Sequence, residues 1–158
     1  MAGLGPAARA ALVAAAVVVL DQATKALVRA NVEVGDSDGV LPGVQLVHAR
    51  NDGVAFNVLA GGSWLVVVVV ALAVVALVAY FATHLDKPLM WLPTGMLLGG
   101  ALGNIIDRVR DGAVTDFVKL PAWPAFNVAD ISITLGVLVL LWVVEQPDER
   151  RAPDGHPA

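Results

Sequence analysis

The sequence contains no cysteine, and charged residues make up only 15% of its 158 positions. The absence of cysteine excludes disulfides, thiolate nucleophiles and cysteine-ligated metals. Ten basic residues stand against fourteen acidic ones, so no excess of positive charge predicts a nucleic-acid partner. A soluble domain is about one quarter charged. The low charge, together with 58% hydrophobic residues and a mean hydropathy of +0.75, indicates a membrane protein.

Patterns for metal and nucleotide chemistry are also lacking. The three histidines are scattered and form no His-Glu-x-x-His pattern for a metal ion. No Gly-x-x-x-x-Gly-Lys loop is present for a nucleotide, and no serine has a plausible histidine base. The sequence therefore predicts neither a metal site nor a cofactor.

Four apolar segments follow one another along the chain, and each is near the ~20 residues that span a bilayer. The segments cover residues 7–30, 63–83, 89–106 and 126–144. We therefore expect an all-α membrane protein with four transmembrane helices. Residues 1–145 would form a single domain, and the charged, proline-containing tail over residues 146–158 is predicted to be disordered.

Residues 31–62 and 107–125 are the two longer loops of this arrangement. The first is long enough to hold a structure of its own. Residues 44–50 have strand character, and Pro42-Gly43 before them predicts a turn. We expect a small β-containing subdomain between helices 1 and 2.

Residues 7–30 could instead be a cleaved signal peptide, because Arg9 precedes an apolar stretch of about ten residues. The helical pattern, however, continues through Asp21 and Lys25. These two residues are one helical turn apart and can neutralise each other. We favour an uncleaved helix.

The unusual polar residues are expected at one membrane face. In a chain that crosses four times, the end of helix 1, the start of helix 2, the end of helix 3 and the start of helix 4 share a face. The polar residues near those positions are Asp21, Lys25, Asn51, Asn104, Asp107, Arg108, Asp116, Asn127 and Asp130. This concentration of polarity predicts a functional site.

Asp116 and Asp130 bracket the loop that leads into the fourth segment. A carboxylate near the bilayer core costs several kcal/mol unless it is paired or functional. Two carboxyl groups held close together cannot both ionise cheaply, so one pKa rises and the pair shares a proton. One member can then activate water while the other polarises a peptide carbonyl. A helix-capping role would account for Asp130 alone, but not for Asp116 and Asn127 beside it.

The third segment carries glycines and a charged end. Gly95 and Gly99 have the four-residue spacing that lets transmembrane helices approach closely. Asn104 is predicted to hydrogen-bond between helices. For Asp107 and Arg108 we expect an interfacial ion pair that reaches water, in preference to a chemical role.

Charge alone leaves the orientation open. The face with the termini would carry Arg9, Lys87, Arg150 and Arg151, against Lys25, Arg29, Arg50, Arg108, Arg110 and Lys119 on the other face. Counted plainly, the positive-inside rule places the termini outside. The second group includes residues that can belong to ion pairs or to a functional site. The count of positive charges therefore does not decide the orientation.

Five stretches, in order and over nearly the whole chain, resemble the lipoprotein signal peptidase (signal peptidase II) family. They are Asp21 with Lys25, Asn51-Asp52-Gly53-Val54-Ala55-Phe56, residues 97–108, Val114-Thr115-Asp116-Phe117 and Phe126-Asn127-Val128-Ala129-Asp130. Two positions depart from the family pattern: Asn57 stands where glycine is common, and Ile131 where a small residue is usual. Neither departure touches the predicted dyad.

The resemblance implies an aspartic endopeptidase of the bacterial inner membrane. Its expected substrate is a diacylglyceryl-modified prolipoprotein, cut just before the lipidated cysteine, with Asp116 and Asp130 as the catalytic pair. The residues that the resemblance places around the site are Asp21, Asn51, Gly53, Asn104, Arg108, Asn127 and Ala129. It also implies cytoplasmic termini, an active site at the outer leaflet and an extracytoplasmic first loop. We expect a monomer whose partners are this substrate and membrane lipid.

Other functions fit part of the pattern. A proton-coupled transporter also uses membrane carboxylates, but more spans and broken helices are expected of it. A non-catalytic scaffold would explain the glycines while leaving Asp116 and Asp130 without a role. An intramembrane protease of the Gly-x-Gly-Asp type is disfavoured because the motif is absent.

Overall fold

A computed structural model describes residues 3–52, 63–84 and 87–146, with side chains described for all of these except residues 63–67. Four helices and three strands lie within these ranges. They are α1 (Pro6–Asn31), β1 (Ser37–Leu41), β2 (Val44–Asn51), α2 (Ser63–Thr83), α3 (Trp91–Asp111), β3 (Val114–Lys119) and α4 (Val128–Glu145). The described chain is therefore mostly helical, with one small antiparallel sheet in the order β1-β2-β3.

Helix α3 is the central helix and packs against α1, α4 and α2. Two of its glycines allow the close approach of α1. A Cβ atom on Gly95 would lie 2.6 Å from the backbone oxygen of Ala10, and one on Gly99 would lie 2.7 Å from the Val17 Cβ. Since real Cβ atoms do not approach so closely, the packing role predicted for Gly95 and Gly99 is confirmed.

The ends of α3 and α4 differ from the predicted segments. Helix α3 does not begin at residue 89, because Leu89 has a φ of 65° that no helical residue adopts. It continues past residue 106 to Asp111 and ends at Gly112, which has a left-handed φ of 74°. Helix α4 begins at Val128 rather than at residue 126, because Asn127 caps it.

The sheet draws on both of the longer loops. Strand β2 confirms the strand predicted for residues 44–50, and Gly43, with a φ of 78°, completes the predicted turn. Strand β3 lies where residues 107–125 were expected to form a loop. It pairs with β2, with Ala49 opposite Asp116 and Asn51 opposite Val114. The sheet is therefore not confined to the segment between α1 and α2, because its third strand, β3, follows α3.

Two of the described helices, α1 and α4, are long and apolar enough to cross a membrane by length and composition. In α2, the part whose side chains are described, Val68–Thr83, is a shorter apolar stretch. Helix α4 exposes large apolar side chains at Leu138, Leu141 and Trp142, as a helix facing lipid does. The predicted tail lies, beyond Gln146, outside the described residues.

Candidate active site

The sheet and three helices bring the predicted site residues together. Asp21 comes from α1, Asn51 from β2, Asp116 from β3, Asn104 and Arg108 from α3, and Asn127, Ala129 and Asp130 from the start of α4. Each of these residues forms a hydrogen bond with another one of them. Gly53, which was also predicted at the site, lies outside the described residues.

Asn127 links the two predicted catalytic aspartates. It is the N-cap of α4 and forms a capping box with Asp130: its Oδ1 accepts from the Asp130 backbone N–H at 3.0 Å, and its own N–H donates to Asp130 Oδ2 at 3.2 Å. Because Oδ1 is engaged in the cap, Nδ2 points away from the helix. It donates to Asp116 Oδ1 at 2.6 Å and to Asn104 Oδ1 at 3.2 Å. The capping role considered for Asp130 is therefore confirmed. The capping residue, Asn127, also hydrogen-bonds to Asp116.

Asp116 is held in β3 with only 3% of its surface exposed. Its second oxygen accepts a hydrogen bond from Asn51 Nδ2 at 3.0 Å. Asn51 stands opposite Val114 in the sheet, so Asp116 is its diagonal neighbour on the same face. The register of β2 against β3 therefore places a donor on the side of Asp116 away from Asn127.

Burial raises the pKa of Asp116 to about 6, the largest influence being the loss of water around the charged form. The Asn51 hydrogen bond acts in the opposite direction, and the neighbouring Asp130 carboxylate raises the pKa further. The Asn127 hydrogen bond and the Lys25 charge lower it. The surroundings of Asp116 therefore favour its protonated form more than water does.

Asp130 is partly exposed in the first turn of α4. In addition to the capping N–H, it accepts a hydrogen bond on Oδ1 from Asn104 Nδ2 at 2.9 Å. A carboxylate at a helix N-terminus is also favoured by the helix dipole. Each aspartate therefore receives two N–H donors. Asn127 supplies two of these four bonds, one from its side chain and one from its backbone, and Asn104 and Asn51 supply one each.

A fully buried ionic cluster of Asp21, Lys25 and Asp107 lies behind the two aspartates. The Lys25 ammonium lies 2.8 Å from Asp21 Oδ2 and 2.9 Å from Asp107 Oδ2, and it donates to Asn104 Oδ1 at 2.9 Å. The predicted pairing of Asp21 with Lys25 is confirmed. The predicted bridging role of Asn104 is confirmed too, since it joins α1 to α4.

The prediction of an interfacial ion pair between Asp107 and Arg108 is wrong. Asp107 is fully buried and pairs with Lys25, because α1 brings that ammonium against α3. Arg108 is half-buried, donates to the Asn104 backbone oxygen at 3.3 Å, and faces the charges of Asp130 and Asp116. Within the described part of the chain, its buried Nε has no hydrogen-bond partner.

Asp21 also holds the start of α4. Its Oδ1 accepts a hydrogen bond from the backbone N–H of Ala129 at 2.9 Å. The approach is close on the other side as well: a Cβ atom on Gly103 would lie 2.5 Å from Asp21 Oδ2. Ala129 is fully buried, and a larger side chain would meet this junction of three helices.

Several contacts of the cluster were not predicted. Gln22 Nε2 donates to Asp107 Oδ1 at 2.9 Å, and the Thr115 backbone N–H donates to Asp107 Oδ2 at 3.2 Å. Arg29 and Arg110 approach Asp107 Oδ1 at 3.9 and 3.7 Å. The only available signal was the helical spacing of these residues from Asp21 and Asp107, which places them near the same end of α1 and α3.

Ser37 does not form a nucleophile with His48, although it lies in the pentapeptide Gly-Asp-Ser-Asp-Gly over residues 35–39. It begins an exposed strand, whereas a serine nucleophile of this pattern sits at a strand-to-helix turn. Ser37 pairs with Val47, so the Ser37 and His48 side chains project from opposite faces of the sheet. His48 Nδ1 contacts the Val32 backbone oxygen at 2.8 Å.

An apolar cleft of about 370 Å³ lies between α2, α3 and α4. Its lining residues are Val69, Val70, Ala73, Val74, Leu77, Leu97, Ala101 and Ile133. Ala101 and Ile133 are each three residues from a polar residue of the site, Asn104 and Asp130. The cleft therefore begins about one helical turn from Asp130 and Asn104.

A model of the signal peptidase (SPase) II family matches residues 13–145. The chain belongs to the signal peptidase II family. The lipoprotein signal peptidase of Moorella thermoacetica is 41% identical over 138 residues, which cover 86% of this chain and 92% of the relative. That of Syntrophomonas wolfei is 42% identical over 129 residues, covering 81% and 87%.

The fold agrees with this membership. A bacterial membrane enzyme solved by the in meso method at 2.3 Å is similar with a TM-score of 0.82 and 30% identity, and 94% of each chain is covered. A second one, solved at 1.9 Å, has a TM-score of 0.75 and 33% identity, covering 87% of this chain and 92% of that one. The resemblance drawn from the sequence motifs is confirmed, and the chain is a membrane-protein member of a peptidase family.

Proposed function

We propose that this chain is an aspartic endopeptidase that removes the signal peptide from diacylglyceryl-modified prolipoproteins, with Asp116 and Asp130 as its catalytic pair. The observation that carries the proposal is the linkage of the two carboxyl groups through Asn127 in a member of the signal peptidase II family. The names of the relatives supply the lipoprotein substrate. The cut lies just before the lipidated cysteine.

The two aspartates divide the chemistry between them. Asp130, ionised, takes a proton from water, whose oxygen attacks the carbonyl carbon of the scissile peptide bond. Asp116, protonated, donates to the carbonyl oxygen. When the carbon–nitrogen bond breaks, the proton on Asp130 passes to the leaving amine and Asp116 recovers its own. A pKa of about 6 favours Asp116 as the holder of the shared proton, and a substrate that excludes water raises that pKa further.

The position of the pair suits a substrate anchored in lipid. Asp130 lies in the first turn of α4, at the end of an apolar helix. A diacylglyceryl chain stays in the bilayer, so the scissile bond beside it lies near helix ends, where water is also available. The cleft between α2, α3 and α4 is apolar throughout and offers a place for the hydrophobic part of the substrate.

We further propose that all four helices cross the membrane, with cytoplasmic termini and the active site at the outer leaflet. The contacts of the ends of α1 and α3 with the start of α4 support this path, because successive spans alternate in direction. The chain has no cysteine, so single cysteines introduced at Gly5 and at Asp38 can report topology. A membrane-impermeant maleimide applied to intact cells should label Asp38→Cys and not Gly5→Cys.

The catalytic assignment is tested with purified protein and a diacylglyceryl-modified prolipoprotein, following loss of the signal peptide by gel shift. Asp116→Asn and Asp130→Asn should each abolish cleavage while the protein remains folded. Asp111→Asn is the matched control, since it removes a partly exposed carboxylate that pairs with Arg110. Full activity in either dyad variant would overturn the assignment.

The substrate class has its own test. Unlipidated precursor should be cut far more slowly than lipidated precursor, because only the lipid holds the scissile bond at the depth of the pair. Equal rates would contradict this account of the site's position. A transporter or a scaffold predicts no cleavage of either precursor. A chelator should not change the rate, since the proposed steps use carboxyl groups alone.

A further inference from the structure

Lys25 is a buried cation whose hydrogen bonds are all made within the protein. Its side chain is fully buried in α1, and its three N–H donors have three acceptors: Asp21, Asp107 and Asn104. An ammonium group can only donate. Within the described residues, Lys25 forms no salt bridge with Asp116 or Asp130, yet it contacts the side chain that donates to Asp130.

The Asn104 amide has two chemically different ends, and its neighbours decide which end faces which group. Lys25 must meet the oxygen, so Oδ1 faces α1 and Nδ2 faces Asp130, to which it donates at 2.9 Å. Asn127 Nδ2 also donates to Asn104 Oδ1, at 3.2 Å, but it shares its donors with Asp116 at 2.6 Å. The shorter and charged partner of Asn104 Oδ1 is therefore Lys25.

Asn127 provides a contrast. Its orientation is set by the helix cap, because its Oδ1 accepts from the Asp130 backbone N–H. No ionisable side chain is needed for that. Asn104 lies inside α3 and has no capping bond to fix it. Its orientation depends on the two donors to its Oδ1, of which Lys25 is the shorter and the charged one.

We propose that Lys25 is a positioning residue of the active site, which fixes the Asn104 amide with its N–H toward Asp130 and so favours a carboxylate, rather than a carboxylic acid, at that position. This inference rests on the proposed peptidase function and deepens it. Turned the other way, the Asn104 oxygen would face Asp130 and would require a proton on its carboxyl group.

The other charges around the pair do not replace this effect. Asp21 and Asp107 neutralise Lys25 at close range, which leaves the hydrogen bond through Asn104 as the main route to Asp130. Arg108 faces both aspartates from α3, and Asp116 faces Asp130 from β3. Both of those charges stay in place when Lys25 is changed.

The test is the pH dependence of kcat/KM for cleavage of the lipidated precursor, which reports ionisations of the free enzyme. Lys25→Met should move the acid limb to higher pH by about one to two units, the equivalent of one hydrogen bond to a charged group. The reason is that Asn104 is then free to turn, and more of the enzyme carries protons on both carboxyl groups at a given pH.

Two further variants separate positioning from folding and from bare charge. Lys25→Met/Asp21→Asn removes one charge of each sign, so the remaining cluster has the same net charge as in the wild type. The acid limb of this double variant should also move to higher pH. Arg29→Gln removes a cation that approaches Asp107 at 3.9 Å but does not contact Asn104 in the described structure. Its acid limb should stay where the wild type has it.

A folded Lys25→Met or double variant with the wild-type pH profile overturns the inference. An equal shift of the acid limb in Arg29→Gln also overturns the inference. That outcome would mean that the loss of any nearby positive charge moves the limb, whether or not the residue contacts Asn104. If Lys25→Met does not fold, as a buried unpaired carboxylate can cause, the double variant decides. Failure of the wild type to cleave, or cleavage by Asp116→Asn, would instead refute the peptidase function itself.

Discussion

Asn127 contacts both aspartates from a single position, donating its side-chain N–H to Asp116 over 2.6 Å and its backbone N–H to Asp130 over 3.2 Å. The cap of α4 and the alignment of the two carboxyl groups therefore depend on the same residue. A change at Asn127 affects both, and the chemistry of the substitution determines how much of each is lost.

Asn127→Ser should retain the helix cap but lose the side-chain donor to Asp116. Since the active form carries Asp116 protonated, this is a hydrogen bond between neutral groups, which contributes about 0.5–1.5 kcal/mol. Cleavage should therefore fall by about 2- to 10-fold. Asn127→Ala loses both the donor and the cap. Its free energy of unfolding should therefore be about 1 kcal/mol lower than that of Asn127→Ser. Thermal unfolding in detergent and the cleavage assay measure the two effects.

The comparison of the two variants is the critical measurement. They should differ in stability and hardly at all in activity. If Asn127→Ser kept the wild-type rate, the contact with Asp116 would have no part in catalysis.

Gly103 faces the Asp21 carboxylate so closely that Gly103→Ala should disturb the buried cluster. Its Cβ atom would lie 2.5 Å from Asp21 Oδ2, and such overpacking costs about 1–3 kcal/mol. Cleavage should fall as well, because Asp21 holds the backbone N–H of Ala129. Gly39→Ala is the control, since nothing lies within 4 Å of an added Cβ there; equal unfolding temperatures for the two variants would contradict the prediction.

The contacts that the sequence predicts well are those set by local spacing. Asp21 and Lys25 are four residues apart, and Asn127 and Asp130 are three apart, so each pair shares a helix face whatever the rest of the chain does. The alternating direction of apolar helices then brings the ends of α1 and α3 to the start of α4. Most of the candidate site follows from these two arguments.

What the sequence did not predict depends on contacts between distant segments. Asp107 is indistinguishable from a surface residue at a helix end until α1 supplies the Lys25 ammonium against it. Strand β3 likewise has no independent signal as strong as a helix, and it forms because β2 offers it an edge.

Asp116 should make the stability of the protein fall as the pH rises from about 4 to about 6. Its pKa is about 6 in the folded protein against 3.8 for the exposed group, so the folded state binds the proton more tightly than the unfolded state does. The stabilisation is complete below the lower value and is lost as the pH passes the higher one, by up to about 3 kcal/mol. Asp116→Asn cannot lose that proton.

The measurement is thermal unfolding of wild type and Asp116→Asn across this pH range. The stability of the wild type relative to the variant should fall with rising pH and level off above about pH 6. Asp38→Asn, on the exposed strand β1, should retain the wild-type slope. Parallel curves for wild type and Asp116→Asn would contradict a raised pKa for Asp116.

Asn51 opposes that rise in pKa, because its amide donates to Asp116 Oδ2 at 3.0 Å and so favours the charged carboxylate. Asn51→Ala should therefore raise the pKa of Asp116 above its wild-type value and extend the fall in stability to higher pH. Asn31→Ala removes an exposed asparagine that donates to the Leu27 backbone oxygen and should leave the pH range unchanged. Because both variants lose an amide, a shift confined to Asn51→Ala would assign the effect to the carboxyl group that Asn51 contacts, and a shift in neither would rule out that contact as an influence on Asp116.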